Sequence, residues 1–260
     1  MHSTKRHRLI DVLRTNDLAD TGKREVSGFH EVDIAFGNFI TDLIDGFCIN
    51  EPDAINAAFH AYCERPKAEK VVMGRFDDVN ALLAHIRRAR EKDKDNGNQV
   101  QLPLVNISRN FMVTYGNVDR AIADTHTGDF VYNDKQEIIG VTASVPATLT
   151  YDLWVVGADK ESTSLLINAL AAEFSLMLNT GFKAHTRIAT GPAVLDCGID
   201  GVRNFMMNDT SPDSESERLY VGATQLNVIT SVLIVYNVTH VRSRVRVMTP
   251  ETMPESFTHE

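Results

Sequence analysis

An α+β fold, with a mixed or mostly antiparallel sheet packed by amphipathic helices, follows from three stretches of the sequence. Val145, Ala147, Leu149, Tyr151, Leu153 and Val155 fall on every second residue, with Thr148, Thr150 and Asp152 between them. That is the period of a strand with one buried face. Beyond Gly157, the residues Leu165, Leu166, Ala169, Leu170, Phe174 and Met177 make one apolar stripe at helical spacing. Asp159 or Ser162 can cap this helix, and Gly181 stands where a left-handed C-cap is commonly needed. Near the other end, Leu226, Val228, Thr230, Val232, Ile234, Tyr236 and Val238 alternate while Ile229, Leu233 and Val235 fill the opposite face. A strand apolar on both faces is normally covered on both sides or sits at an interface.

Composition sets the outer bounds. A chain of 260 residues can bury a substantial core, and 43% apolar with 23% charged residues is ordinary for a globular protein. The net charge of -9 argues against a broad nucleic-acid-binding surface, though not against a local basic strip. Cys48, Cys63 and Cys197 are widely spaced and without a CxxC, which fits buried thiols in a reducing compartment better than disulfides or a zinc site. The first residues are basic and lack an apolar signal core, and no apolar run reaches membrane-spanning length. The expectation is a protein made in a cytoplasm.

Residues 1–28 read as an N-terminal arm: Lys5, Arg6, His7 and Arg8 precede a short apolar patch, and no period follows. Residues 29–248 read as a single α+β domain and 249–260 as a C-terminal tail. From His30 the stripe Val32, Ala35, Phe36, Phe39, Ile40, Leu43, Ile44 and Phe47 predicts an amphipathic helix, with Asp33, Asp42 and Asp45 on its polar side. A second helix is expected from Asn50, with Pro52 in its first turn, Ile55, Ala58, Phe59 and Tyr62 inward, and Pro66 at its end. Val71–Met73 suggest a short strand. Phe76, Val79, Leu82, Leu83 and Ile86 mark a third helix running to Arg90. His60 and Cys63 stand three apart on a helix, but two ligands do not hold a zinc. The charged run Glu91 to Gly97 fails the register of a calcium loop and reads as a turn.

Leu102–Ile107 reads as a strand, after which Arg109–Gly140 is a polar excursion too long for an ordinary loop. His126 with Asp124 and Asp129 could form a small polar site there, and a solvated loop accounts for them as well. Lys183–Ile188 and Ala193–Leu195 suggest strands on either side of Gly191-Pro192. Residues 206–217 form an acidic, turn-rich loop. At the end of the apolar strand, Arg242, Arg244 and Arg246 share one face and Val241, Val245 and Val247 the other. Such arginines either guard a sheet edge against aggregation or pair with carboxylates across a subunit boundary. The chain contains no GxSxG, no GxxxxGK[ST] and no HExxH, which moves weight toward a structural role. Catalytic, cofactor and metal residues are expected to be none.

The phrase Leu102-Pro-Leu-Val-Asn-Ile-Ser-Arg109, the polar excursion, then Val145-Pro-Ala-Thr-Leu-Thr-Tyr-Asp-Leu-Trp-Val-Val156 leading into Asp159 and a Leu-rich helix resembles the neck proteins of contractile-tailed bacteriophages. The likeness is to the tail-completion proteins, which terminate the tail or stabilise its sheath, and it covers roughly residues 30–247. It implies a ring-forming α+β domain in the virion, expected to be a hexamer, that is not an enzyme. The implied partners are further copies of the chain, the tail tube and sheath, and the head connector. DNA would pass through the ring without specific binding, and no membrane is involved. The alternatives are another head–tail connector or adaptor ring, or, in a different class, a small cytoplasmic hydrolase using the His126 region or the acidic loop.

Overall fold

A computed structural model describes residues 18–91, 101–116, 128–177, 181–189, 191–200, 205–212 and 219–240. Its frame is a pair of long antiparallel strands, β5 (Ile138–Gly157) and β9 (Tyr220–His240). Their register runs unbroken from Gly140 opposite Asn237 to Gly157 opposite Tyr220. The outer side of β5 is taken first by β4 (Phe130–Tyr132) and then by β3 (Leu104–Tyr115), whose own outer side receives the parallel β2 (Val71–Met73). The outer side of β9 receives β8 (Asn208–Asp209), β7 (Gly191–Asp200) and β1 (Leu18–Val26) in turn, and β6 (Gly181–Ile188) closes that side as a hairpin with β7. The result is a mixed, mostly antiparallel sheet curled into a half-barrel, with helices packed on it: an α+β fold, as the sequence predicts.

Adjacent residues on a strand face opposite ways, and here the two faces have different covers. On one face Leu149, Tyr151, Leu153 and Val155 of β5 join Leu226 and Val228 of β9 in a core with two helices. These are α1 (His30–Asp45), through Val32, Phe36, Ile40 and Ile44, and α5 (Lys160–Leu176), through Leu166, Leu170 and Phe174. On the opposite face Leu104, Val156 and Val221 meet Val79, Leu82 and Leu83 of α4 (Val79–Glu91). The β9 strand is thus buried on both sides over much of its length, as its double apolar pattern requires. The short α2 (Ala57–Cys63) packs against the start of α5, where the Phe59 N–H donates to the Ser162 hydroxyl, and α3 (Lys67–Lys70) lies beside α1, with Phe59 and Tyr62 buried.

The strand-to-helix unit forms as its residues dictate. The Asp159 carboxylate accepts the Ser162 N–H at 2.7 Å and is the N-cap of α5. A side chain at Gly157 would collide with the Thr163 hydroxyl, so only glycine lets the first turn of α5 close on the end of β5.

Several expectations are corrected. The arm is strand over Leu18–Val26, paired antiparallel with β9; its earlier residues, like the tail 249–260, lie outside the described residues. The second helix starts at Ala57 rather than near Asn50, because Asp53 turns back to accept the N–H groups of Ile55 and Asn56, leaving Ile55 exposed. Gly181 is no C-cap: α5 ends at Met177 in an extended conformation, and Gly181 opens β6. The excursion after Arg109 is shorter than expected, since β3 continues to Tyr115 and β4 and β5 occupy Phe130–Tyr132 and the residues from Ile138. Cys197 is buried and Cys63 half-buried, but Cys48 is exposed.

Candidate functional site

The most distinctive surface lies where β3 outruns its neighbour. Strand β2 pairs only with Val105–Ile107, so no described strand pairs the outer edge of β3 from Ser108 to Tyr115. On its inner side the register steps from Arg109 opposite Tyr151 to Val113 opposite Leu149. Asn110, Phe111 and Met112 therefore stand against Thr150 alone, in a wide bulge. The Asn110 side-chain carbonyl accepts the Met112 N–H at 3.2 Å and shapes the bulge as a local turn. It thrusts its apolar residues into solvent: Phe111 is 82% exposed, Met112 74% and, beyond the bulge, Tyr115 57%.

A charged knot fixes the root of this bulge. Asp33 of α1 accepts from Arg109 Nε through Oδ2 at 3.2 Å and from the Tyr151 hydroxyl through Oδ1 at 2.6 Å, the ion pair with Arg109 closing to 2.9 Å at Oδ1, and Phe29 lies beneath the guanidinium at 5.7 Å. Burial, and then the bond to Asp33, push the Tyr151 hydroxyl far above its ordinary pKa, so it remains a donor at any working pH. Asp33 was expected on the solvent side of its helix. It is instead half-buried, because its partners arrive from β3 and β5.

A second charged group ties the end of α1 to α3. The Lys70 side chain is 2% exposed, and its ammonium donates to Asp45 at 2.8 Å, while Lys67 bridges Asp42 at 3.0 Å and Asp45 at 3.3 Å. The hydrogen bond from Lys70, supported by that from Lys67 and opposed by desolvation, holds the Asp45 carboxyl below its ordinary pKa. A depressed carboxylate contributes stability that is full above its unfolded-state pKa and is lost as pH falls through the folded value. Asp45→Asn is therefore expected to be less stable than the native chain at neutral pH and to converge on it in acid. Urea midpoints measured across that range check this, and parallel curves would show that the pair contributes nothing.

Of the residues singled out in the sequence, Arg242, Arg244 and Arg246 lie outside the described residues, as do Asp124, His126, Asp213, Glu215 and Glu217. Asp129 is described, and its backbone carbonyl accepts the Thr142 N–H and hydroxyl. Asp209 is held by the Ser211 hydroxyl at 2.6 Å and the Ser211 N–H at 3.0 Å, which keep its carboxyl below the usual pKa and close a tight turn. Burial raises the Cys197 thiol to a pKa of about 11, and it donates to Thr230. Among the described residues no group of His, Cys, Asp and Glu is placed to hold a metal ion, and no helix is long and apolar enough to cross a membrane. The bulge itself was missed, although Phe111-Met-Val-Thr-Tyr115 is a strand-forming run whose signal stands in the sequence. No protein-family model matches the chain, and no curated protein matches it.

Proposed function

We propose that the chain is a structural protein of a phage neck, a ring of identical subunits that caps the tail tube and sheath and joins the tail to the head connector. The observation that carries a self-assembling role is the open edge of β3 with Phe111, Met112 and Tyr115 in solvent. A large exposed side chain offers roughly 150–250 Å², so at these exposures the three present on the order of 400–500 Å² of surface. An unpaired strand edge that carries several large exposed apolar side chains is a ready template for pairing with another chain. The resemblance of the 102–109 and 145–156 phrases to tail-completion proteins supplies the setting: work by position and contact, with no reaction.

A native mass several-fold above the 28.9 kDa of one chain is expected, with ring-shaped particles in negatively stained images. Light scattering that gives 28.9 kDa at high concentration, both alone and mixed with tail tubes, would overturn the reading.

A further inference from the structure

We infer that residues 241–247 of one copy add as a strand to the free edge of β3 in the next copy. This rests on the ring reading and names the contact that closes the ring. The long outer strands of the sheet are built in two ways. On β6 the exposed side chains include Lys183, His185 and Arg187, and on β1 they include Lys23, Arg24 and Glu25. Charges of this kind keep a further strand from pairing. The free part of β3 past Arg109 reads Asn110-Phe-Met-Val-Thr-Tyr115 and carries none, with Phe111, Met112 and Tyr115 in solvent. An edge without that guard accepts an extended segment, whose backbone satisfies the outward N–H and C=O groups.

Three observations select the occupant. Length is the first. The alternating run Val241-Arg-Ser-Arg-Val-Arg-Val247 lies outside the described residues directly after β9. As a strand it spans about 24 Å, against about 27 Å for the edge from Ser108 to Tyr115. Chemistry is the second. A guanidinium stacks on an aromatic ring, as Arg24 does on Tyr236 and Arg109 on Phe29. Arg242, Arg244 and Arg246 share one face of the run and offer the same contact to the exposed rings of Phe111 and Tyr115. Topology is the third, and it assigns the edge to a second copy. Tyr115 stands opposite Ala147, whereas Asn237 stands opposite Gly140, and from there β9 runs on to His240, away from β3. His240 therefore lies about 34 Å beyond Tyr115 along the strands, at about 3.4 Å per residue. A run of about 24 Å that starts there cannot come back over Ser108–Tyr115 of its own sheet. Donor run and acceptor edge are different surfaces of one molecule, so the contact is heterologous and builds a ring where its rotation closes.

The experiment uses the full chain. Ser243→Pro with Val245→Pro removes two backbone donors from the run and should weaken assembly tenfold or more with an unchanged circular dichroism spectrum. A synthetic peptide of residues 241–247, added in excess, is expected to dissociate native rings and to slow amide exchange at Val113, Thr114 and Tyr115 of the proline variant. Replacing Arg242, Arg244 and Arg246 together by Lys should weaken assembly less, since lysine keeps the charge but loses the planar stack. With the exposed Cys48 replaced by Ser, Met112→Cys and Ser243→Cys are made singly and mixed under mild oxidation. The mixture is expected to give a disulfide-linked pair on a non-reducing gel that neither variant gives alone. Rings that persist in the proline variant overturn this contact and leave the ring reading standing. Linking of Met112→Cys to itself overturns it in favour of a two-fold contact between β3 edges. A doubly substituted chain that links only within itself overturns it in favour of the chain's own run. A native chain that stays monomeric overturns both.

Discussion

Leu170→Ala is expected to lower stability by about 2–5 kcal/mol, the range for emptying a leucine-sized space in a packed core. Leu170 is fully buried on α5 among Leu166, Phe174 and the apolar face of β5, in a core that also holds α1. Backbone held on one side by a sheet and on the other by a helix cannot close on the missing methyl groups, which favours the upper half of the range. Asp159→Ala, at the start of the same helix, is the internal comparison: it removes one capping bond and should cost about 1 kcal/mol. Denaturant midpoints check both. Equal shifts would mean that α5 is held by its cap rather than by its apolar stripe, and an unmoved Leu170→Ala midpoint would remove α5 from the core.

What the sequence made legible follows a physical division. Elements that bury one regular face announce themselves by period, and so α1, α4, α5, β5 and β9 were all predicted near their observed places. Strand β1 has no such face. Only Leu18 is buried while its remaining residues are half-buried or exposed, because the strand is held by backbone hydrogen bonds to β9 more than 200 residues away. No period in Asp20-Thr-Gly-Lys-Arg24 could reveal that partner. The far half of β3 was hidden for a related reason: its bulge breaks the alternation just where Phe111 and Met112 turn to solvent. The Asp33–Arg109–Tyr151 knot joins residues 76 and 118 positions apart, and each looked ordinary where it stood. The start of α2 depended on the Asp53 side chain choosing the N–H groups of Ile55 and Asn56. Composition does not determine that choice.

Arg65→Ala is expected to destabilise the chain by about 2–5 kcal/mol, since a buried carbonyl stripped of its donor costs about 1–3 kcal/mol and Arg65 serves one buried carbonyl and two part-buried ones that lose less. Its guanidinium is 8% exposed as a residue and donates to the carbonyls of Gln101, Leu102 and Pro103 at 2.9, 3.0 and 2.7 Å, clamping the entry of β3 to the end of α2. The same side chain stacks at 5.2 Å on Tyr62, whose hydroxyl donates to the Lys70 carbonyl, so the clamp is continuous with the charged pair that anchors α3. Arg65→Lys separates charge from shape. A lysine keeps the positive charge but offers a single point of donation, whereas the planar fork spans carbonyls of three successive residues. Lysine is therefore expected to recover less than half of the loss in chemical denaturation. Near-complete recovery would mean that the site needs only a cation. A loss confined to the first residues of β3, seen as faster amide exchange at Leu104 and Val105 with an unchanged global midpoint, would reduce the clamp to a local tether. The expected result is cooperative loss across the sheet, because β3 carries both β2 on its outer side and the root of the exposed bulge.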